Sequence, residues 1–157
     1  VITKLGTAGK VGIYTSATAH LIADVAGYYP ASSTYAPLVP GRLKDTRASG
    51  DTVDHTNVGG GPVAANVMVP LTVAGRYGIP VDATSVVLNV TAAGPQGSGF
   101  ITVWPCGAAQ PNASNVNFVT GVTIANMVIT GVGTSGQVCL LSSAGTNVIV
   151  DVNGYYL

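Results

Sequence analysis

The chain contains one segment twice. Residues 1–29 align with residues 128–156 at a constant offset of 127 and without a gap, and 15 of the 29 aligned pairs are identical. Both copies close on Asp-Val-x-Gly-Tyr-Tyr, at 24–29 and again at 151–156. Repetition at a fixed period is the signature of a tandem-repeat protein, whose modules are quasi-independent units stacked along the chain. We expect such a module to bind, space or assemble rather than to catalyse.

One period of 127 residues is the usual size of a single domain. We therefore predict a complete repeat at 31–157 and, at 1–30, the duplicated terminal β-hairpin of a preceding repeat. The chain begins without a methionine or a signal-peptide pattern, so we expect a mature product or an excised piece.

The composition excludes several classes of partner. Charged residues make up only 8% of the chain, Glu is absent, and the formal net charge is zero. Since ordinary soluble domains carry about 25% charged residues, this surface is unusually neutral. Nucleic acid is not expected as a partner, because no net positive field attracts phosphates. Membrane insertion is not expected either, because no apolar run reaches the ~18–20 residues that a spanning helix needs.

Hydrophobic residues alternate with polar ones at a period of two, which predicts strands. Val86, Leu88 and Val90 point to one side, and Asn89 and Thr91 lie on the other with Val87. Turn residues separate such runs, and the predicted strands are 10–15, 20–26, 41–47, 66–74, 84–92, 99–104, 114–119, 125–132, 137–142 and 147–153.

The last eight of these strands form one all-β domain, which we predict to be an antiparallel two-sheet β-sandwich of jelly-roll type. The alternative is a pseudo-threefold β-trefoil or β-prism. A weaker internal similarity supports this alternative, because Gly9–Tyr14 and Gly136–Leu141 both resemble Gly99–Trp104.

The first two predicted strands duplicate the end of the domain and lack partner strands of their own. Unpaired backbone edges are costly and adhesive. We expect residues 1–30 to pack on the complete domain or to pair with another chain, as in strand addition between protomers.

Two cysteines, Cys106 and Cys139, predict one disulfide, with two unpaired buried thiols as the alternative. A disulfide agrees with a secreted protein. Neither cysteine has a cluster of further ligands nearby, so no zinc site is expected.

The Asp-Val-x-Gly-Tyr-Tyr ends are the most specific local signal. Their glycine suits a turn or bulge with positive φ, and Asp24 and Asp151 suit backbone amides or an arginine partner. Arg42-Leu-Lys-Asp-Thr-Arg47 supplies that partner. We predict a partly buried pair between Arg47 and Asp151 that joins the first and last strands. Alternation would place Arg42 and Lys44 on one face and Asp45 and Arg47 on the other.

Ligand-binding candidates are few. Trp104, followed by Pro105 at a strand end, and Tyr77 are candidate sugar-stacking rings, although Trp104 as a core residue is the favoured interpretation. Asp51 and His55 lie with Asp54 in a Gly-bounded loop. This loop suits a weak calcium or sugar contact, although a solvated loop is favoured, and its spacing matches neither an EF-hand nor a zinc helix.

No catalytic motif is present. The sequence has no Gly-x-Ser-x-Gly elbow, and Gly59–Pro62 lacks the Lys-Ser/Thr of a phosphate-binding loop. With six Asp and no Glu, a facing pair of glycosidase carboxylates is not expected either. We predict no catalytic residue, no cofactor and no metal.

Several motifs together resemble a repeat of secreted and cell-surface proteins from actinobacteria and related bacteria. The resemblance extends over nearly the whole chain, and the motifs that carry it are Arg-Leu-x-Asp-Thr-Arg (42–47), Ala-Gly-x-x-Gly-Ile-Pro (74–80), Ser-Val-Val-Leu-Asn-Val-Thr (85–91), Thr-Val-Trp-Pro (102–105), Ser-Asn-Val-Asn-Phe (114–118) and Val-Asp-Val-Asn-Gly-Tyr-Tyr (150–156). The resemblance implies an extracellular all-β module, often in tandem or beside hydrolase domains. It implies no catalytic residue.

The functional expectation is a non-enzymatic structural module on a bacterial surface or in a secreted protein. Its role would be self-assembly, for example into filaments, or adhesion, through strand edges and apolar surface. Its partners would be further copies or neighbouring repeats. The alternative is a carbohydrate-binding module that targets a polysaccharide or cell-wall glycan.

Overall fold

The computed structural model describes residues 2–21, 23, 28–30 and 32–157. Eight strands account for nearly all regular structure in these residues, with two short 3₁₀ turns at Thr7–Gly9 and Thr134–Gly136. The strands are β1 (Tyr35–Asp45), β2 (Met68–Thr72), β3 (Ser85–Ala93), β4 (Gly99–Pro105), β5 (Val116–Phe118), β6 (Ile124–Gly131), β7 (Gln137–Ser142) and β8 (Asn147–Tyr156).

The strands form two antiparallel four-stranded sheets. One sheet has the order β1-β8-β3-β6, and the other has the order β2-β7-β4-β5. Every connection except the one between β4 and β5 crosses from one sheet to the other, which is the jelly-roll arrangement. The predicted two-sheet sandwich is confirmed. The trefoil and prism alternative is wrong, because three equivalent units are absent from the described sheets.

The core lies between the two sheets and follows the predicted alternation. Val86, Leu88 and Val90 of β3 are fully buried in it, together with Val138 of β7 and Val150 of β8. Aliphatic side chains from both sheets dominate this cluster, and their removal from water is the main term that stabilises a sandwich of this kind.

Two strands are longer than the sequence indicates. β1 begins at Tyr35, six residues before the predicted start, because Pro37 and Pro40 are tolerated in a strand at the sheet edge. β8 continues to Tyr156 through Gly154. The prediction of a positive φ at this glycine is wrong. Gly154 lies in the strand beside a bulge, and a side chain there would collide with the ring of Tyr35.

The terminal unit of the repeat is not a hairpin, which corrects the prediction. β7 lies between β2 and β4 in one sheet, and β8 lies between β1 and β3 in the other. The two strands therefore face each other across the core, where each buries one side. Neither of them can supply the hydrogen bonds that the other needs.

Residues 1–30, called the leading segment below, differ from their second copy. The turn is the same in both: Ala8 and Ser135 have φ 57° and 58°, and Gly6 N–H donates to Lys10 O over 2.8 Å. The strand predicted at 10–15 is wrong, because those residues are coil, and residues 3–21 are exposed. The strand predicted at 20–26 falls partly outside the described residues, as does Asp24. Packing of residues 3–21 on the domain is not observed.

Cys106 and Cys139 form the predicted disulfide. The bond lies on the outer face of the β4–β7 sheet and packs with Trp104 and Leu141. It indicates a non-reducing environment. In the described residues, the helical segments are 3₁₀ turns, far too short to cross a bilayer.

We predict that reduction of the disulfide lowers the free energy of unfolding by about 3–4 kcal/mol, because it closes a loop of 33 residues in the unfolded chain. Urea titration with and without a thiol reductant measures the difference. The double variant Cys106→Ala and Cys139→Ala is the control and should not respond to reductant. Equal stability of the oxidised and reduced chains would contradict the prediction.

Candidate functional site

The charged side chains of the sandwich are confined to one region. From Ala83 to Val150 the sequence contains no Asp, Glu, Lys, Arg or His. The charged residues of 32–157 therefore lie either between Arg42 and Asp82 or at Asp151. Most of them meet along β1 and in the loop that follows it, which makes this end of the molecule the candidate site.

Asp45 is the centre of this network and is fully buried at the end of β1. Its carboxylate accepts hydrogen bonds from Arg47 Nε (3.0 Å), Arg47 Nη2 (2.7 Å) and the Arg47 amide (3.1 Å). It also accepts one from Arg42 Nη1 at 3.0 Å. These hydrogen bonds, those from the Arg47 side chain above all, hold the pKa of Asp45 below its ordinary value. Gly50 is required beside it, since a side chain there would collide with the carboxylate.

The predicted pair between Arg47 and Asp151 is wrong. Asp151 of β8 accepts instead from Arg42 Nε over 2.8 Å, so Arg42 is the residue that joins the first and last strands. The reason is a β-bulge in β1: Arg42 pairs with Asp151 and Lys44 with Val150, which leaves Leu43 as an extra residue.

The bulge also breaks the predicted alternation. It brings Arg42 and Asp45 into contact and separates Lys44 from Arg42. The stem of Lys44 lies at an apolar edge of the core, beside Val63 and Val148. Burial there lowers the pKa of Lys44.

The loop after β1 carries two further ion pairs. His55 Nδ1 lies 2.8 Å from Asp51 Oδ1, and both side chains are exposed. Asp54 turns the other way and accepts two bonds of 2.8 Å from Arg76, one from Nε and one from Nη2. The paired guanidinium holds the pKa of Asp54 far below its usual range. The structure thus brings Asp51 and His55 together, whereas Asp54 binds Arg76 instead.

Arg76 is a functional residue that the sequence interpretation missed. Besides Asp54, its guanidinium donates to the carbonyls of Thr72 (2.9 Å) and Leu43 (3.1 Å), so it fastens the loop to β1 and to the end of β2. One signal could have indicated it: Arg76 is the only arginine or lysine after Arg47.

The two candidate aromatic rings lie in different places. Trp104 is only 6% exposed, packs against the disulfide and donates its Nε1–H to the carbonyl of Ala108. It offers no open face for a sugar ring. Tyr77 is partly exposed, and its ring lies over Gly41 of β1, where no side chain would fit. Trp104 and Tyr77 are thus not brought together.

An open cleft of about 700 Å³ lies on the outer face of the β1-β8-β3 sheet, beside the charged network. Arg42 and Asp151 form part of its floor, Asp51 and Val53 come from the loop, and Asn89 and Asn153 come from β3 and β8. Both carboxylates in it are already paired, Asp151 with Arg42 and Asp51 with His55. Within the described residues, no group of three metal-binding side chains is found.

No protein-family model matches the chain, and no curated protein matches it significantly.

We predict that Asp45→Ala lowers the free energy of unfolding by about 2–4 kcal/mol, because charge-assisted hydrogen bonds contribute about 1.5–3 kcal/mol each and the arginines left behind regain only part of that from water. Chemical denaturation at pH 7 measures the loss. The control is Asp82→Ala, an exposed carboxylate without an ion pair among the described residues.

The same pair of proteins tests the pKa of Asp45. Because its pKa is lower in the folded state, its contribution is present above the unfolded value, about 4, and is lost as the pH falls through the folded value. The stability difference between wild type and Asp45→Ala should therefore shrink below that pH. A difference that stays constant to pH 2 would contradict the assignment.

Proposed function

We propose that this chain is a non-enzymatic structural module of an extracellular bacterial repeat protein. It acts in self-assembly or adhesion through strand edges and apolar surface. One observation carries the proposal: the leading segment repeats the strands that complete the sandwich, yet the apolar side chains within residues 3–21 are exposed in this chain.

The two copies make the contrast directly. Val11 and Ile13 are 47% and 59% exposed, whereas their counterparts Val138 and Leu140 are 0% and 3% exposed. The side chains are of the same kind at both positions. The leading segment therefore carries a core-forming face without the core that would cover it.

The topology of the sandwich identifies the missing partner. In the complete repeat, β7 bonds to β2 and β4, and β8 bonds to β1 and β3. A second copy of β7 and β8 needs the same four neighbours, which only another copy of the repeat provides. We infer that residues 1–30 complete a preceding repeat and that 31–157 is the following one.

A tyrosine cluster marks the junction between the two. Tyr29, the last tyrosine of the first copy, has its ring centroid 4.6 Å from Tyr35. Tyr156, its counterpart in the second copy, donates its hydroxyl to that of Tyr29 over 3.1 Å. This hydrogen bond, with burial, raises the pKa of Tyr156 to about 12. The end of one repeat thus contacts both the first and the last strand of the next.

A free sheet edge offers a second contact surface. β6 is the last strand of its sheet, and Ile124, Met127 and Ile129 on it are exposed. Natural sheets protect such edges with charges, prolines or bulges. β6 contains no charged residue and no proline, so its edge suits contact with another chain.

Further points support an extracellular location and a non-enzymatic role. The disulfide fits an oxidising compartment outside the cytoplasm. The resemblance of several motifs to those of actinobacterial surface repeats also favours an extracellular location. In the cleft, Asp151 is bound to Arg42, and Asp51 and His55 form a largely exposed contact, which suits structure better than acid–base chemistry.

We predict that the purified chain self-associates in a way that depends on its concentration and on the leading segment. Multi-angle light scattering should show particles larger than a monomer without any ligand, and electron microscopy should show their shape. Deletion of residues 1–30 should reduce the mass towards that of a monomer, because the exposed core-forming face is removed.

A charge-matched pair of variants separates the apolar face from the segment as a whole. Val11→Asp with Ile13→Asp should reduce association, whereas Thr7→Asp with Ala8→Asp at the turn should leave it unchanged. An unaltered mass after deletion of residues 1–30 would refute the role of the leading segment.

A further inference from the structure

The cleft contains two side-chain amides that the fold holds in place but does not use. Asn153 of β8 is only 5% exposed. Its side chain has no hydrogen-bond partner within the described part of the chain, and none of its polar atoms is sealed from solvent. Asn89 of β3 is half-buried and likewise makes no side-chain hydrogen bond to the described residues.

A nearly buried side-chain amide in a native protein is usually paired with protein or with ordered water, and an amide that opens onto a cleft can exchange that water for a ligand. Arg42 and Asp151 bind each other at 2.8 Å, which occupies part of the hydrogen-bonding capacity of the cleft floor. The side-chain amides of Asn89 and Asn153 make no hydrogen bond to the described residues and are therefore available to a ligand. Both lie on strands, which hold them rigidly.

The chemistry of the cleft selects a ligand class. Each primary amide offers two donors and one acceptor, which matches hydroxyl groups that both donate and accept. The charged side chains of the cleft floor, Arg42 and Asp151, have opposite signs and bind each other, so the floor suits a neutral ligand better than an ionic one. Val53 of the loop and Pro40 of β1 add apolar surface on the rim. Convergent polar groups in a partly apolar concavity of this size are typical of small-molecule sites.

We propose that the cleft binds a neutral saccharide, with Asn89 and Asn153 as the groups that bind its hydroxyls. The site concerns the complete sandwich alone and does not rest on the assembly proposal. It lies on the opposite sheet from Trp104, the ring that the sequence suggested for this role.

A comparison of the two copies distinguishes a ligand-binding role of Asn153 from a structural role. Asp151, which holds Arg42, has Asp24 as its counterpart in the first copy, whereas Asn153 has Ala26. The structural carboxylate is thus retained in both copies, but the asparagine is not. The first copy thus carries alanine at the position of Asn153, which makes Asn153→Ala a natural choice of variant.

The experiment is a titration of ¹⁵N-labelled chain with three soluble oligosaccharides: cellotetraose, the tetramer of N-acetylglucosamine, and tri-galacturonate as an anionic comparison. At millimolar concentrations, at least one of the two neutral sugars should shift the side-chain amide signals of Asn89 and Asn153. Asn153→Ala and Asn89→Ala should each weaken binding up to about tenfold, the effect of about 1.4 kcal/mol.

Asn112→Ala is the matched control, because Asn112 is an exposed asparagine in the loop that follows β4. It should leave the affinity unchanged, and the spectra themselves report whether each variant is folded. Three results would overturn the proposal: no shift of the two amides with either neutral sugar, shifts that both alanine variants retain, or tighter binding of tri-galacturonate. None of these results bears on the association of the leading segment.

Discussion

A β-strand is stable only where neighbouring strands satisfy its backbone hydrogen bonds, and this constraint separates the two copies of the repeated segment. In the second copy, β7 and β8 each lie between two strands and bury one face in the core. In the first copy, residues 10–15 have the same pattern of apolar side chains but no neighbours, and they are coil. Because the two strands of the unit belong to opposite sheets, they cannot pair with each other as a hairpin would. The turn at Thr7–Gly9 keeps its geometry, since it needs only its own residues.

The charged residues and the uncharged residues of the sandwich have different structural roles. The long uncharged stretch from Ala83 to Val150 builds most of both sheets. It provides core and neutral surface, including the free edge at β6. The ion pairs around Asp45, Asp54 and Asp151 fasten β1 and its loop to the rest of the sandwich. The polar cleft lies next to these ion pairs, where a rigid floor can position Asn89 and Asn153.

Alternation and turn residues were enough to predict the fold class and the eight strands of the complete repeat, and the presence of two cysteines predicted the disulfide. They failed where a position depends on a distant contact. The bulge at Leu43 is set by the pairing of β1 with β8, so the sequence alone placed Arg47 rather than Arg42 opposite Asp151. The role of Arg76 depends in part on the carbonyl of Leu43, which lies 33 residues earlier in the chain. Asn89 and Asn153 look like ordinary strand residues, and only the cleft shows that their amides are available.

The proposal that the leading segment belongs to another repeat has one direct test. In a chain that carries an additional copy of residues 31–127 ahead of residue 1, the leading segment acquires the four strands that it lacks. Hydrogen exchange should then show the amides of Val11 and Ile13 as strongly protected as those of Val138 and Leu140, whereas in the present chain, diluted until it is monomeric, they exchange rapidly. If Val11 and Ile13 exchange as rapidly in the extended chain as in this one, the leading segment is not the end of a preceding repeat.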